Sequence, residues 1–434
     1  MMVKQIGLIL LSLFLLFSFL SCNNNKPSTA EPITLRFCTF NGGEGFEWDQ
    51  KLLNKFTDSH PNIKIKVINA PWNSYTEKVL VLNVGGIPPD VFWNITGDLP
   101  FYASRNILMD ISSTVANDPN IDTTKYFPHA LEICSYQGKL YALPRDVCCL
   151  FYVYNKDMFD AAKVPYPNPN WTWDDFLTLC KKLTKDKNGD GRIDQFGTGG
   201  SGGGYYWNDV VHMNGTEPLS PDGKETWITN PEFYDAVQWW VDLALKYHVA
   251  PLPSEASGMG GDLFLNGFLA TSLTGPWTFA GYHKDIKFRW DIVNVPRGKV
   301  GNKVSLLGLP ISISSRTKHP KEAYELLKFL CYSEEAQILQ AQWGVAMPSR
   351  KDLAMSPVFM QQPIMPEHVN LYMQSMLEYT YAQKGYPYSK QVYDTIQSGI
   401  ELAQLGKMSV KDAMILKKPI IDKIINKSIR KGEI

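Results

Sequence analysis

The chain has 434 residues, with 43 Lys and Arg balanced by 43 Asp and Glu, so its formal net charge is zero. With no block of five or more like charges either, a nucleic-acid partner is excluded from the expected functions. The composition is that of a globular protein, and its unusual feature is an aromatic share of 12%, including 12 Trp.

The first segment has a single positive side chain, Lys4, then an apolar run from Ile6 to Leu20, then Ser21-Cys22 and the polar Asn23-Asn24-Asn25. This is the pattern of a signal peptide, and the run is short of the ~20 residues a permanent span needs. Residues 22–31 are polar and aperiodic, as a flexible tether would be. From Ile33 to Phe40 apolar residues alternate, which predicts a strand. Trp48, Leu52 and Phe56 then fall at helical spacing up to His60-Pro61, and Ile63, Ile65 and Val67 alternate again. A second helix (Tyr75, Val79, Leu82) and an apolar strand (Val91-Phe92-Trp93) follow. Strand, helix, strand, helix, strand is the rhythm of a parallel α/β sheet, where sites form at the carboxyl ends of strands. Further on, a strand is expected from Leu150 to Tyr154, and helices over 174–183, 231–248 and 320–342. Trp239 and Trp240 lie on the third of these four elements and are expected in the core. Pro419 predicts a kink or break in the last helical stretch. The six cysteines besides Cys22 (Cys38, Cys134, Cys148, Cys149, Cys180 and Cys331) show no C-x-x-C spacing. They read as buried thiols, with any disulfide left open.

The stretch from Asp186 to Gly204 matches three unrelated motifs. Gly199-Gly200-Ser201-Gly202-Gly203 fits G-x-S-x-G, but no apolar strand leads into it. The run from Gly197 to Gly202 fits G-x-G-x-x-G without the βαβ context that motif needs. Asp186, Asn188, Asp190 and Asp194 occupy positions 1, 3, 5 and 9 of a calcium loop, with Gly191 at the turn. Position 12 is Gly197, so the bidentate carboxylate is missing. A weak structural calcium ion is the alternative to a bare turn, followed by a glycine loop that leads to Tyr205, Tyr206 and Trp207.

Several stretches, taken in order, resemble the extracellular solute-binding proteins of ABC transporters, in particular the sugar-binding group that includes maltose-binding protein. They are FTDSHPNIKIKV with PWNSYTEKV after it, GGIPPDVFWN, GKLYALPRD, YNKDMF, WTWDDF, NGDGRIDQFG, TGPWTF, HPKEAYELLKFL and GKMSVKDA. Phe19-Leu20-Ser21-Cys22 resembles a lipoprotein lipobox, with Phe19 where leucine is usual. The resemblance implies an α/β, two-lobed periplasmic-binding-protein-like fold of type II with a hinge. Residues 1–21 would be the signal peptide and 22–31 the lipidated Cys22 and tether. Residues 32–145 and 301–352 would form lobe 1, and 146–300 with 353–434 lobe 2.

Sugar rings offer C–H faces that suit aromatic planes, and rim hydroxyls that need carboxylates, amides and Arg. Trp277 lies in a motif the family uses to stack its ligand, and Trp93, followed by Asn94, matches a position facing the cleft. Trp207 and Trp343 are flanked by polar residues in the same way. Asp146, Glu44, Arg145 and Asp98 are the polar candidates. The expected function is capture of a sugar or oligosaccharide by a monomeric, membrane-anchored component of an ABC importer, with no catalysis and no required cofactor. Rival readings are a glycerol phosphate or polyamine ligand, a surface glycosidase and an adhesin.

Overall fold

A computed structural model describes residues 32–95, 97–199, 206–344 and 346–434; the Glu44 side chain is also outside the description. The chain forms two α/β lobes, each built on its own sheet. In the first, strands β1 (Ile33–Thr39), β2 (Ile63–Asn69) and β3 (Val91–Trp93) run parallel. Helix α1 (Gly43–Ser59) connects the first two, and α2 (Tyr75–Val84) leads to the third. Strand β4 (Ala142–Cys148) lies at one edge of this five-stranded sheet. On α1, Leu52, Leu53 and Phe56 form the buried stripe, and each such side chain contributes about 1.5–3 kcal/mol relative to exposure.

Only Cys149 and Leu150 separate β4 from β5 (Phe151–Asn155), the first strand of the second sheet. That sheet has four strands in the order β8-β5-β7-β6, with β6 (Phe196–Thr198), β7 (Leu269–Thr274) and β8 (Trp290–Val293). Helices α3 (Trp207–Met213) and α4 (Pro231–Leu245) pack on each other, and α5 (Phe279–Asp285) follows β7. The chain returns through β9 (Val304–Ser305) to β10 (Leu307–Ile313), which lies between β3 and β4 in the first sheet. Leu307 pairs with Cys148, so the outgoing and returning strands cross between lobes side by side.

Two sequence expectations are corrected here. The single helix expected over 320–342 is two, α6 (Pro320–Tyr332) and α7 (Glu334–Gln342). Ser333 is extended, and its Oγ accepts the Ala336 N–H at 3.2 Å, capping α7. Beyond α7, two short helices, Lys351–Ala354 and Pro357–Met360, pack on it. In the C-terminal hairpin, α8 (Ser389–Gln404) packs on α9 (Val410–Arg430), and both pack on α4. Helix α9 runs unbroken through Pro419 because packing along its length outweighs the one backbone hydrogen bond that proline removes. Among the described residues no helix is long and apolar enough to cross a membrane.

Candidate functional site

The parallel strands of lobe 1 deliver their carboxyl ends to one edge, and aromatic side chains collect there. Phe40, directly after β1, sets its ring edge-on to Trp72 at 4.7 Å and to Trp93 at 5.2 Å. Trp72 is 50% exposed. Asp49 on α1 draws in the loop after β1, accepting from Thr39 Oγ1 at 2.6 Å and Asn41 Nδ2 at 2.9 Å. Burial pushes the Asp49 carboxyl up, opposed by the positive field of Arg145.

Trp48, the residue before Asp49 on α1, stacks on Trp343 at the end of α7, with centroids 4.6 Å apart and planes 20° from parallel. The Lys51 ammonium lies 3.9 Å from the Trp48 centroid. Gly344 follows with φ at +66°, and a Cβ there would lie 3.1 Å from Ala280 Cβ of α5. The end of α7 in lobe 1 therefore meets α5 of lobe 2. Helix α5 is preceded by Gly275-Pro276-Trp277, a turn beyond the end of β7 in which Trp277 is 48% exposed. Trp48 and Trp343 thus flank the same interlobe seam as Trp277.

The other candidates fall elsewhere. Trp93 is 1% exposed, with the Arg145 guanidinium 4.2 Å from its ring centroid, so it forms a covered floor to the aromatic group. Arg145 pairs with Asp146 at 2.8 Å, and Asp146 also accepts the Leu309 N–H at 3.0 Å. Asp146 thereby links β4 to β10, and neither residue is open to solvent. Asn94 is buried and hydrogen-bonded to Ser312. The Trp93 Nε1, Asn94 Oδ1 and Arg145 Nη2 atoms in this floor have no hydrogen-bond partner among the described residues. Asp98 is buried and accepts from Thr76 Oγ1 at 2.8 Å, tying α2 to the following segment.

Trp207 departs from the expectation of a cleft-wall aromatic on a loop. It opens α3, is 0% exposed and packs edge-on against Phe233 and Tyr393 in the interior of lobe 2. Cys22, the tether, the Glu44 side chain and residues 200–205 lie outside the described residues.

The candidate calcium loop is closed by its own backbone. Asp186 accepts N–H groups from Gly189 (2.7 Å) and Gly191 (2.8 Å), Asp190 from Arg192 (2.8 Å), and Asp194 from Lys187 (2.8 Å). These bonds hold the Asp186 carboxyl below its usual range. At Gly197, a Cβ would lie 2.4 Å from the Cys180 backbone, so this glycine serves strand-on-helix packing.

Trp48, Asp49, Phe40 and Trp72 join this candidate site and were passed over by the sequence reading. Trp48-Asp49 shows the aromatic-then-polar pairing used to select Trp93-Asn94, but its helical spacing with Leu52 and Phe56 marked it as core. Two surface cavities lie outside the seam, one of about 350 Å³ by Asn214 and Trp227 and one of about 590 Å³ by Tyr166 and Trp290.

The chain belongs to the bacterial extracellular solute-binding proteins, whose family pattern matches residues 51–367. A Streptomyces antibioticus lipoprotein is 24% identical over 343 residues, 73% of this chain and 70% of that one. The multiple sugar-binding protein of Streptococcus mutans is 21% identical, covering 77% of this chain and 80% of its own. Among solved structures, a Listeria monocytogenes ABC substrate-binding protein in complex with cycloalternan superposes with a TM-score of 0.80 at 25% identity, covering 91% of this chain and 98% of that one.

Proposed function

We propose that the protein captures a sugar or oligosaccharide between its lobes and presents it to the membrane subunits of an ABC importer. The observation that carries this reading is the seam, where Gly344, next to the Trp48–Trp343 stack of lobe 1, meets Ala280 of the lobe 2 helix that follows the half-exposed Trp277. Flat apolar faces matched to C–H patches are chemistry a pyranose needs. The cycloalternan complex of the similar Listeria protein and the similarity to a multiple sugar-binding protein support the same class of ligand. Two strands crossing side by side provide a hinge, and a ligand closes the lobes by binding the closed arrangement more tightly.

The anchor in this reading is a lipid on Cys22, supported by the lipoprotein relative, and the working unit is a monomer that uses no cofactor. The 186–194 loop is a self-closed turn in this account. Calorimetry with a panel of mono- and oligosaccharides, followed by chromatography of the same samples, tests the function. Reversible binding without cleavage is expected. Hydrolysis products would establish a glycosidase instead.

A further inference from the structure

Asp209 has a place in the fold that the solute site does not explain. It lies in the first turn of α3, is buried, and among the described residues forms no ion pair with Lys or Arg. Its Oδ1 accepts the backbone N–H of Ser305 at 2.8 Å and the Tyr381 hydroxyl at 3.2 Å. Ser305 ends β9, and Leu306 donates its N–H to the Tyr381 carbonyl at 2.8 Å before β10 enters lobe 1. The carboxylate therefore grips the returning strand at its crossing point.

We infer that Asp209 is a positioning residue of the hinge: its ionised carboxylate fixes the returning strand to lobe 2, and protonation loosens that grip and weakens solute binding. The coupling to solute rests on the proposed function. An ionised acceptor makes a stronger hydrogen bond to a backbone N–H than a neutral carboxyl does, and Ser305 N–H donates to this carboxylate at 2.8 Å. Burial without a cationic partner pushes the Asp209 carboxyl up to about 6, so the switch falls just below neutral pH.

The titratable groups facing Asp209 are His212 on α3, Tyr206 before it, Cys149 on the outgoing crossing and Tyr381. Burial drives the two tyrosines and the thiol upward, away from this range. His212 stacks on Tyr381 at 3.8 Å and is hydrogen-bonded to Glu217. It is the competing origin of any pH effect and is tested as such.

Two measurements on the full chain decide the matter, each between about pH 5 and about pH 7.5. Hydrogen exchange of the 303–307 segment, corrected for intrinsic rates, is followed without solute. The dissociation constant of the sugar found by calorimetry is measured in parallel. The expected result is a loss of protection and a weakening of binding of about 3- to 10-fold on acidification, the loss of one charge-assisted bond. Asp209→Asn should be flat in both, and His212→Gln should keep the wild-type profile. A wild-type profile in Asp209→Asn, or its loss in His212→Gln, overturns the assignment. Exchange that changes while sugar binding stays flat overturns the coupling. If no sugar binds, the exchange result still decides the clamp, and the sugar reading fails separately.

Discussion

Gly275 sits beneath the indole of Trp277, and this contact yields a prediction that separates binding from stability. A Cβ at residue 275 would lie 2.2 Å from Cζ3 and 2.4 Å from Cη2 of that ring. The backbone at Gly275 is extended (φ −136°, ψ 178°), so alanine fits it without strain. The indole is the free end of a half-exposed side chain and swings aside, leaving the fold intact. Gly275→Ala should hold stability to within about 0.5 kcal/mol or raise it slightly by narrowing the unfolded ensemble. Displacing one aromatic face costs about 0.5–1.5 kcal/mol of binding, or about 2- to 13-fold in Kd. Calorimetric titration beside thermal unfolding reads both quantities. An unchanged Kd would refute the placement of Trp277 on the ligand, and a large drop in Tm would refute the freedom of its ring.

Three further outcomes follow from burial. Against global unfolding, which solvates Asp209, the folded state binds its proton more tightly, so the stability this group contributes is present below about pH 4 and is lost as pH rises to about 6; local release of Ser305, which leaves Asp209 buried, has the opposite sign. Asp209→Asn should therefore be more stable than wild type at pH 7 by up to about 3 kcal/mol and lose that advantage near pH 4; denaturant unfolding at the two pH values checks it. Trp207→Ala should cost about 3–5 kcal/mol, and the milder Trp207→Phe should keep sugar affinity within about twofold, a split that unfolding and titration together resolve. Cys38, Cys134, Cys149, Cys180 and Cys331 are unpaired and buried, with the Cys38 thiol pushed up to about 11 by burial. A thiol reagent at neutral pH should leave them untouched until denaturant is added, and rapid labelling of the native protein would contradict this packing.

Local periodicity carried most of the fold. The alternation at Ile33–Phe37 and Ile63–Val67 and the helical spacing of Leu52 and Phe56 are properties of a few neighbouring residues, and burial follows them. Where a tertiary contact decides, the sequence was less legible. Ser333 followed by Glu334-Glu335 carries a capping signal, but the apolar spacing on both sides masked it. Pro419 breaks an isolated helix and is tolerated in one packed on α8 and α4. Trp207 and Trp343 have similar polar flanks, yet one fills a lobe interior and the other stacks on Trp48, a partner 295 positions away in the chain. Asp209 stood beside a selected tryptophan, but its role depends on Ser305, which only the returning strand brings near.

Intrinsic tryptophan fluorescence reads whether a sugar is held against Trp277. The full chain in a sugar-free detergent is titrated with mono- and oligosaccharides and the series is repeated with Trp277→Ala. A saturable change with one sugar, weakened in the variant, is the predicted result. No response to any sugar by a demonstrably folded protein would contradict the account and move the ligand outside the carbohydrates.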